Sequence, residues 1–174
     1  EEKIKKIISY PSGLFLFTGS TGSGKTTTQM TLLKLMKNKG KNILIIEEPV
    51  EYFLEEANQI EVDRERGFDY GIILRESLRQ DPDLIVIGEI RDTETARTAV
   101  RAAGTGHLVF ATLHTESGKD AIGRLEDLGV SSKELEMVLK GVMSQRLIRK
   151  KCKNCKRSNE CIVCGGTGYR GRFA

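Results

Sequence analysis

The sequence predicts an α/β domain built on a mainly parallel sheet flanked by helices, with a small cysteine-rich appendage at its end. Three observations predict it. Short apolar runs alternate with stretches of helical length, the pattern of strands joined by crossover helices. The runs around Ile43, Leu84 and Leu108 are continuously apolar, as in parallel strands covered on both faces. From about Lys150 the chain changes to Cys, Gly, Lys and Arg with almost no apolar periodicity. Residues 1–150 therefore read as one domain and 151–172 as the appendage.

In chain order, strands are expected over 14–18, 42–46, 59–62, 84–87 and 107–112, and helices over 25–39, 70–80, 93–103, 117–128 and 132–147. Asp92, Ser117 and Ser131 or Ser132 are expected N-caps, and Gly40, Gly104 and Gly129 expected stops. Ligands of such sheets bind at the carboxyl ends of the strands. Each polar cluster described below follows an apolar strand and can gather at that edge.

The first cluster is Gly-Ser-Thr-Gly-Ser-Gly-Lys-Thr over 19–26, a G-x-x-x-x-G-K-[ST] match between a strand and a helix. In that context it is a P-loop: backbone N–H groups converge on a polyphosphate and the helix dipole faces the same anion. Ser20, Thr21, Gly22, Ser23, Gly24, Lys25, Thr26 and Thr27 form the expected nucleotide-binding set. Lys25 reaches the β- and γ-phosphates and the Thr26 hydroxyl ligates Mg²⁺. ATP and Mg²⁺ are the implied ligands.

The second cluster, Glu47-Glu48-Pro49-Val50-Glu51, reads either as acids that hold Mg²⁺ or orient water, or as a solvated acidic turn. The third follows the strand ending at Ile87. Gly88 occupies the usual aspartate position of the second nucleotide-binding element, and Glu89 becomes the candidate to polarise water or hold the metal shell. Capping of the next helix suits Asp92 better. Both histidines fall in the fourth cluster. His114, past the strand end, suits a γ-phosphate sensor or relay, whereas His107 at the other end suits backbone orientation.

Cys152-x-x-Cys155 and Cys161-x-x-Cys164 use all four cysteines. Their spacing predicts a tetrahedral Zn²⁺ site. Two disulfides or an iron–sulfur cluster are the alternatives, less suited to a cytosolic nucleotide site and to this spacing respectively. The net charge of +4 is concentrated here, in Arg149, Lys150, Lys151, Lys153, Lys156, Arg157, Arg170 and Arg172. It reads as a solvated surface around the metal knuckle. No apolar run approaches the roughly 18 residues of a membrane span, and the first residues show no basic-then-apolar secretory pattern. Glu1 is not an initiator methionine, so the chain reads as an excised or trimmed piece.

Taken in order, GSTGSGKTTT, IEEPVEY, LRQDPDLIVIGEIRD, GHLVFATLHT and QRLIRKKCKNC…CIVCGGTGYRGR resemble the secretion ATPase superfamily of type II secretion, type IV pilus assembly and competence. The resemblance implies a RecA-like motor domain of a homo-hexameric ATPase. It would lie in the cytoplasm beneath an inner-membrane platform and drive the assembly of pilin-like subunits. By the same resemblance Glu51 is the water-activating glutamate and Glu89 the second-element glutamate, while His114 and His107 match the family's paired histidines. Glu48 stands where the family usually has Asp. The tetracysteine element resembles the assembly branch, not the retraction motors. The family's N-terminal domain, whose arginines complete a neighbour's ATP site, and its C-terminal extension are expected to be absent here. Arg75, Arg79 and Arg91 are the nearest basic residues, none assignable as a finger from sequence. Two other functions compete: a RecA-like nucleic-acid motor or binder with a zinc knuckle, and a non-hydrolysing nucleotide-gated module. No direct nucleic-acid partner is expected, since aromatic residues are only 6% and do not interleave with basic ones.

Overall fold

The computed structural model describes residues 6–36, 40–155 and 161–174. Six strands, β1 (Gly13–Thr18), β2 (Ile43–Glu47), β3 (Asn58–Glu61), β4 (Leu84–Ile87), β5 (Leu108–Leu113) and β6 (Leu139–Ser144), form one sheet in the order β3-β2-β4-β5-β1-β6. Every pairing is parallel. The helices are α1 (Lys25–Met36), α2 (Tyr70–Ser77), α3 (Thr93–Gly104), α4 (Gly118–Asp127) and α5 (Ser132–Val138). The chain ends in an antiparallel hairpin of β7 (Ile148–Lys151) and β8 (Tyr169–Phe173).

The continuously apolar strands are buried on both faces, and alternate residues serve two cores. Leu14, Leu16, Ile46, Ile85, Ile87 and Val109 pack with α2, α3, α4 and α5. Phe15, Phe17, Ile45, Val86 and Phe110 pack with Met30, Leu33 and Met36 of α1. Phe110 meets Phe15 and Phe17 edge-on, with centroids 6.1 and 5.5 Å away, a preferred aromatic geometry.

Local signals set the helix ends. Asp92 accepts from Thr95 N at 2.8 Å and Ser117 accepts from Asp120 N at 3.2 Å. Ser131 and Glu134 form a reciprocal capping box. Gly129 takes the left-handed conformation just after α4, whereas Gly104 is the last residue of α3 and Thr105 caps it. The first helix runs to Met36; its expected continuation over 37–39 lies outside the described residues.

The helix expected over 132–147 is corrected. It ends at Val138, and Leu139–Ser144 is a strand beside β1. Without β6, the wholly buried β1 would leave one side of its backbone unpaired, which buried N–H and C=O groups do not tolerate. Gly141 is the signal that the helical reading passed over. A Cβ there would lie 2.6 Å from Phe15 Cε2, so the strand can approach β1 only as glycine. The second helix, expected over 70–80, is also shorter than expected, closing in a 3₁₀ turn over Leu78–Gln80.

Candidate functional site

The carboxyl ends of β2, β4, β5 and β1 open side by side onto one cleft. The cleft is lined by Thr21, Gly22, Lys25 and Thr26 of the loop together with Glu47, Glu48, Glu51, Glu89 and His114. Of the remaining loop residues, Ser23 is buried behind the cleft and Ser20 lines an adjoining recess, while the Thr27 carbonyl accepts from Thr31 Oγ1 on the outer side of α1.

The loop's shape depends on glycine. Gly19 has φ +142°, and a Cβ there would run into the Gln145 carbonyl oxygen and come within 2.7 Å of Ser23 Oγ. Lys25 is almost wholly buried, and its Nζ donates to the Gly19 and Ser20 carbonyls at 2.7 and 3.2 Å. Burial pushes its pKa below the ordinary lysine value, while the nearby Glu89 charge pulls the other way. An anion arriving in the cleft would favour the charged ammonium.

Glu89 is held from both sides. Gly88 N donates to Ile46 O at 2.8 Å and Ile90 N to Thr112 O at 3.0 Å, tying the segment to β2 and β5. The Thr112 hydroxyl also donates to the Gly88 carbonyl. The Glu89 carboxylate pairs with Arg91 on one oxygen and stands 3.3 Å from His114 Nε2 on the other. A side chain at position 88 is excluded by neighbours: a Cβ there would be 2.9 Å from Tyr70 Oη and 3.0 Å from Ile46 O. Tyr70 stays protonated because burial, then Glu89 and Glu48, raise its pKa well above the ordinary value.

The three acids of the second cluster occupy different environments. Glu47 is buried at the end of β2. Burial raises its pKa, partly countered by Gln59, whose Nε2 donates to it at 3.3 Å, and aided by Glu51. Glu48 accepts both Nε and Nη2 of Arg64, at 2.7 and 3.0 Å, which holds its carboxyl below the ordinary range. Glu51 stands exposed on the rim, after the cis peptide between Glu48 and Pro49. His107 lies at the opposite end of β5, its Nδ1 3.1 Å from the Ala102 carbonyl. Arg75 pairs with Glu94 and Arg79 with Glu76. Of the three arginines singled out in the sequence, Arg91 is the one joined to a cleft acid.

Sequence reasoning missed Arg64, Tyr70, Thr112 and Gln145. Gln145 directly follows β6, and a polar residue after an apolar strand was the signal that found the others. Reading that strand as helix concealed it.

At the far end of the chain, the sulfurs of Cys152, Cys161 and Cys164 lie within 4.8 Å of one another, Cys152 and Cys161 at 4.0 Å. Tetrahedral thiolates at about 2.3 Å from Zn²⁺ sit roughly 3.8 Å apart, so this set fits a soft dication. Cys155 is close enough to hydrogen-bond to Cys164. Burial opposes ionisation of Cys164, but the Gly168 N–H and the neighbouring thiols outweigh it and bring the pKa down to about 7.

A family model described as "Type II/IV secretion system protein" matches residues 1–174. The chain belongs to this family. It is 44% identical to the type IV pilus assembly ATPase PilB of Thermus thermophilus, over 99% of this chain and 22% of that protein. It is 46% identical to the putative type II secretion system protein E of Escherichia coli K12, over 100% of this chain and 40% of that protein. The crystal structure of the pilus retraction motor PilT with bound ADP superposes with a TM-score of 0.80 at 40% identity, covering 88% of this chain and 48% of that one. The fold is thus the RecA-like P-loop fold of the secretion ATPases, and the chain spans less than half the length of each of these relatives.

Proposed function

We propose that this chain is the ATP-hydrolysing motor domain of a hexameric secretion ATPase that powers assembly of pilin-like subunits. The observation that carries the reading is the meeting of Lys25 and Thr26 with Glu51, Glu89 and His114 around one cleft at the carboxyl edge of a parallel sheet. The loop N–H groups and Lys25 bind the phosphates. Mg²⁺, held by the Thr26 hydroxyl with the cleft acids, would neutralise charge on the β- and γ-phosphoryl oxygens. Glu51, exposed on the rim, takes the proton from an attacking water as its oxygen bonds to the γ-phosphorus and the bond to the β–γ bridging oxygen breaks. His114 keeps the Glu89 carboxylate aimed into the cleft.

Zn²⁺ on Cys152, Cys155, Cys161 and Cys164 would cross-link the terminal hairpin. That element, together with the identities to an assembly ATPase and a type II secretion relative, supports the assembly branch. Work takes place at the cytoplasmic face of an inner-membrane platform, with neighbouring subunits completing each site.

The test is Mg-ATP hydrolysis over a wide range of protein concentration, with Lys25→Ala as control. Specific activity should climb with concentration and vanish in the control. Absence of Mg-ATP binding, or turnover indifferent to Lys25→Ala, would overturn the reading.

A further inference from the structure

A loop that turns its N–H groups toward a polyphosphate must turn carbonyls the other way, and those need donors. In this chain Lys25 satisfies the Gly19 and Ser20 carbonyls. The Ser23 carbonyl, in the middle of the loop, accepts instead from Gln145 Nε2 at 2.8 Å. The same amide accepts from Thr28 Oγ1 at 2.7 Å, on the first turn of α1. The Gln145 backbone N donates to Thr18 O at 2.8 Å, where β1 enters the loop, and its carbonyl fills the space beside Gly19. One residue thus touches the entry, middle and exit of the phosphate loop.

We propose that Gln145 is a positioning residue of the phosphate site: it fixes the loop from behind, so that the N–H groups stay aimed at the phosphates when Lys25 leaves its resting carbonyls. The inference rests on the nucleotide reading above. The chemistry requires an amide at this reach. Nε2 must donate and Oε1 must accept from one side chain. Glutamate has no donor, and asparagine is one methylene short. Gln145 also lies between β6 and β7, so the lever from the cysteine hairpin to the phosphate loop is three residues long, 145–147.

The test uses the 174-residue chain and a fluorescent ADP analogue, with ADP and AMP as competitors, well below the melting temperature. Loss of the Gln145 hydrogen bonds in Gln145→Ala should weaken ADP about tenfold, the scale of one or two such bonds. AMP, which does not reach the β-phosphate position, should weaken far less, so the ADP-to-AMP preference contracts. A purely structural defect would lower both together. Thr28→Val should give part of the effect, Thr28→Ser should restore it, and Thr28→Val should add little to Gln145→Ala. Should Gln145→Ala fail to fold, the Thr28→Val and Thr28→Ser pair decides. An unchanged ADP-to-AMP preference in folded variants overturns the inference alone. Failure of the parent chain to bind ADP overturns it together with the nucleotide reading.

Discussion

The parallel sheet and the terminal hairpin are held together by different physics. Every residue of β1, β2, β4 and β5 is buried, each strand serving one core on each face. Every residue of β7 and β8 is exposed, and Cys152 is the single buried residue of the hairpin among those described. Ile162, at 98% exposure, contributes nothing to a core. Arg149 stacks over Tyr169 at 4.5 Å, worth about 0.5–1 kcal/mol at an exposed site. An isolated two-stranded hairpin is marginal in water. The sheet is specified by side-chain volume, whereas the hairpin has no such core and depends, on the proposed reading, on a metal held by its cysteines, so the two should fail independently.

The largest break in that comparison comes from the metal. If the proposed zinc site holds the hairpin, chelation or Cys161→Ser should remove one zinc per chain and with it roughly 10–16 kcal/mol of apparent metal-binding energy. Hydrogen exchange should accelerate over the hairpin while the sheet melts within a few degrees of the parent. Collapse of the sheet at the same time would erase the distinction. Next is Phe110→Ala, which empties the centre of the aromatic trio and should cost about 3–5 kcal/mol in urea denaturation. Zinc content should be unchanged.

Gly88→Ala probes the cleft end of the sheet. Its new methyl meets Tyr70 Oη and the Ile46 carbonyl, an overpacking cost of about 1–3 kcal/mol. ATP turnover should fall further than stability alone explains, because Glu89 moves with the shift.

The smallest effect is read in pH. Glu47 has its pKa raised by burial from the ordinary 4.5, so the fold favours its protonated form. That contribution is complete below the ordinary carboxylate value and is lost as pH rises through the raised folded value. Glu47→Gln should therefore gain stability relative to the parent across that window. Gln59 keeps its acceptor in the variant. Parallel stability curves would remove Glu47 from the account.

Most of the sheet was legible because short, continuously apolar runs, too short for helices, alternate with stretches of helical length. The loop was legible because its glycines and lysine sit at a fixed spacing between strand and helix. The strand over Leu139–Ser144 was not. Half exposed and interrupted by Gly141, it carries no period of its own and is defined by the open side of β1. Gln145 was lost with it. The placement of the second-element acid at Glu89 was visible as a sequence anomaly, but the crowding of position 88 by Tyr70 and Ile46 exists only in three dimensions. Likewise nothing in the sequence pairs Glu48 with Arg64, 16 residues away, which occupies both its oxygens.

The resting contacts of Lys25 have a consequence for selectivity. Its ammonium already has two backbone acceptors, at 2.7 and 3.2 Å. A monovalent anion such as chloride offers too little to replace both, whereas a polyphosphate brings several charges and oxygens at once. On the proposed reading, a ligand that draws Lys25 away must replace both acceptors, which favours an anion whose charge and oxygens are concentrated in a chain.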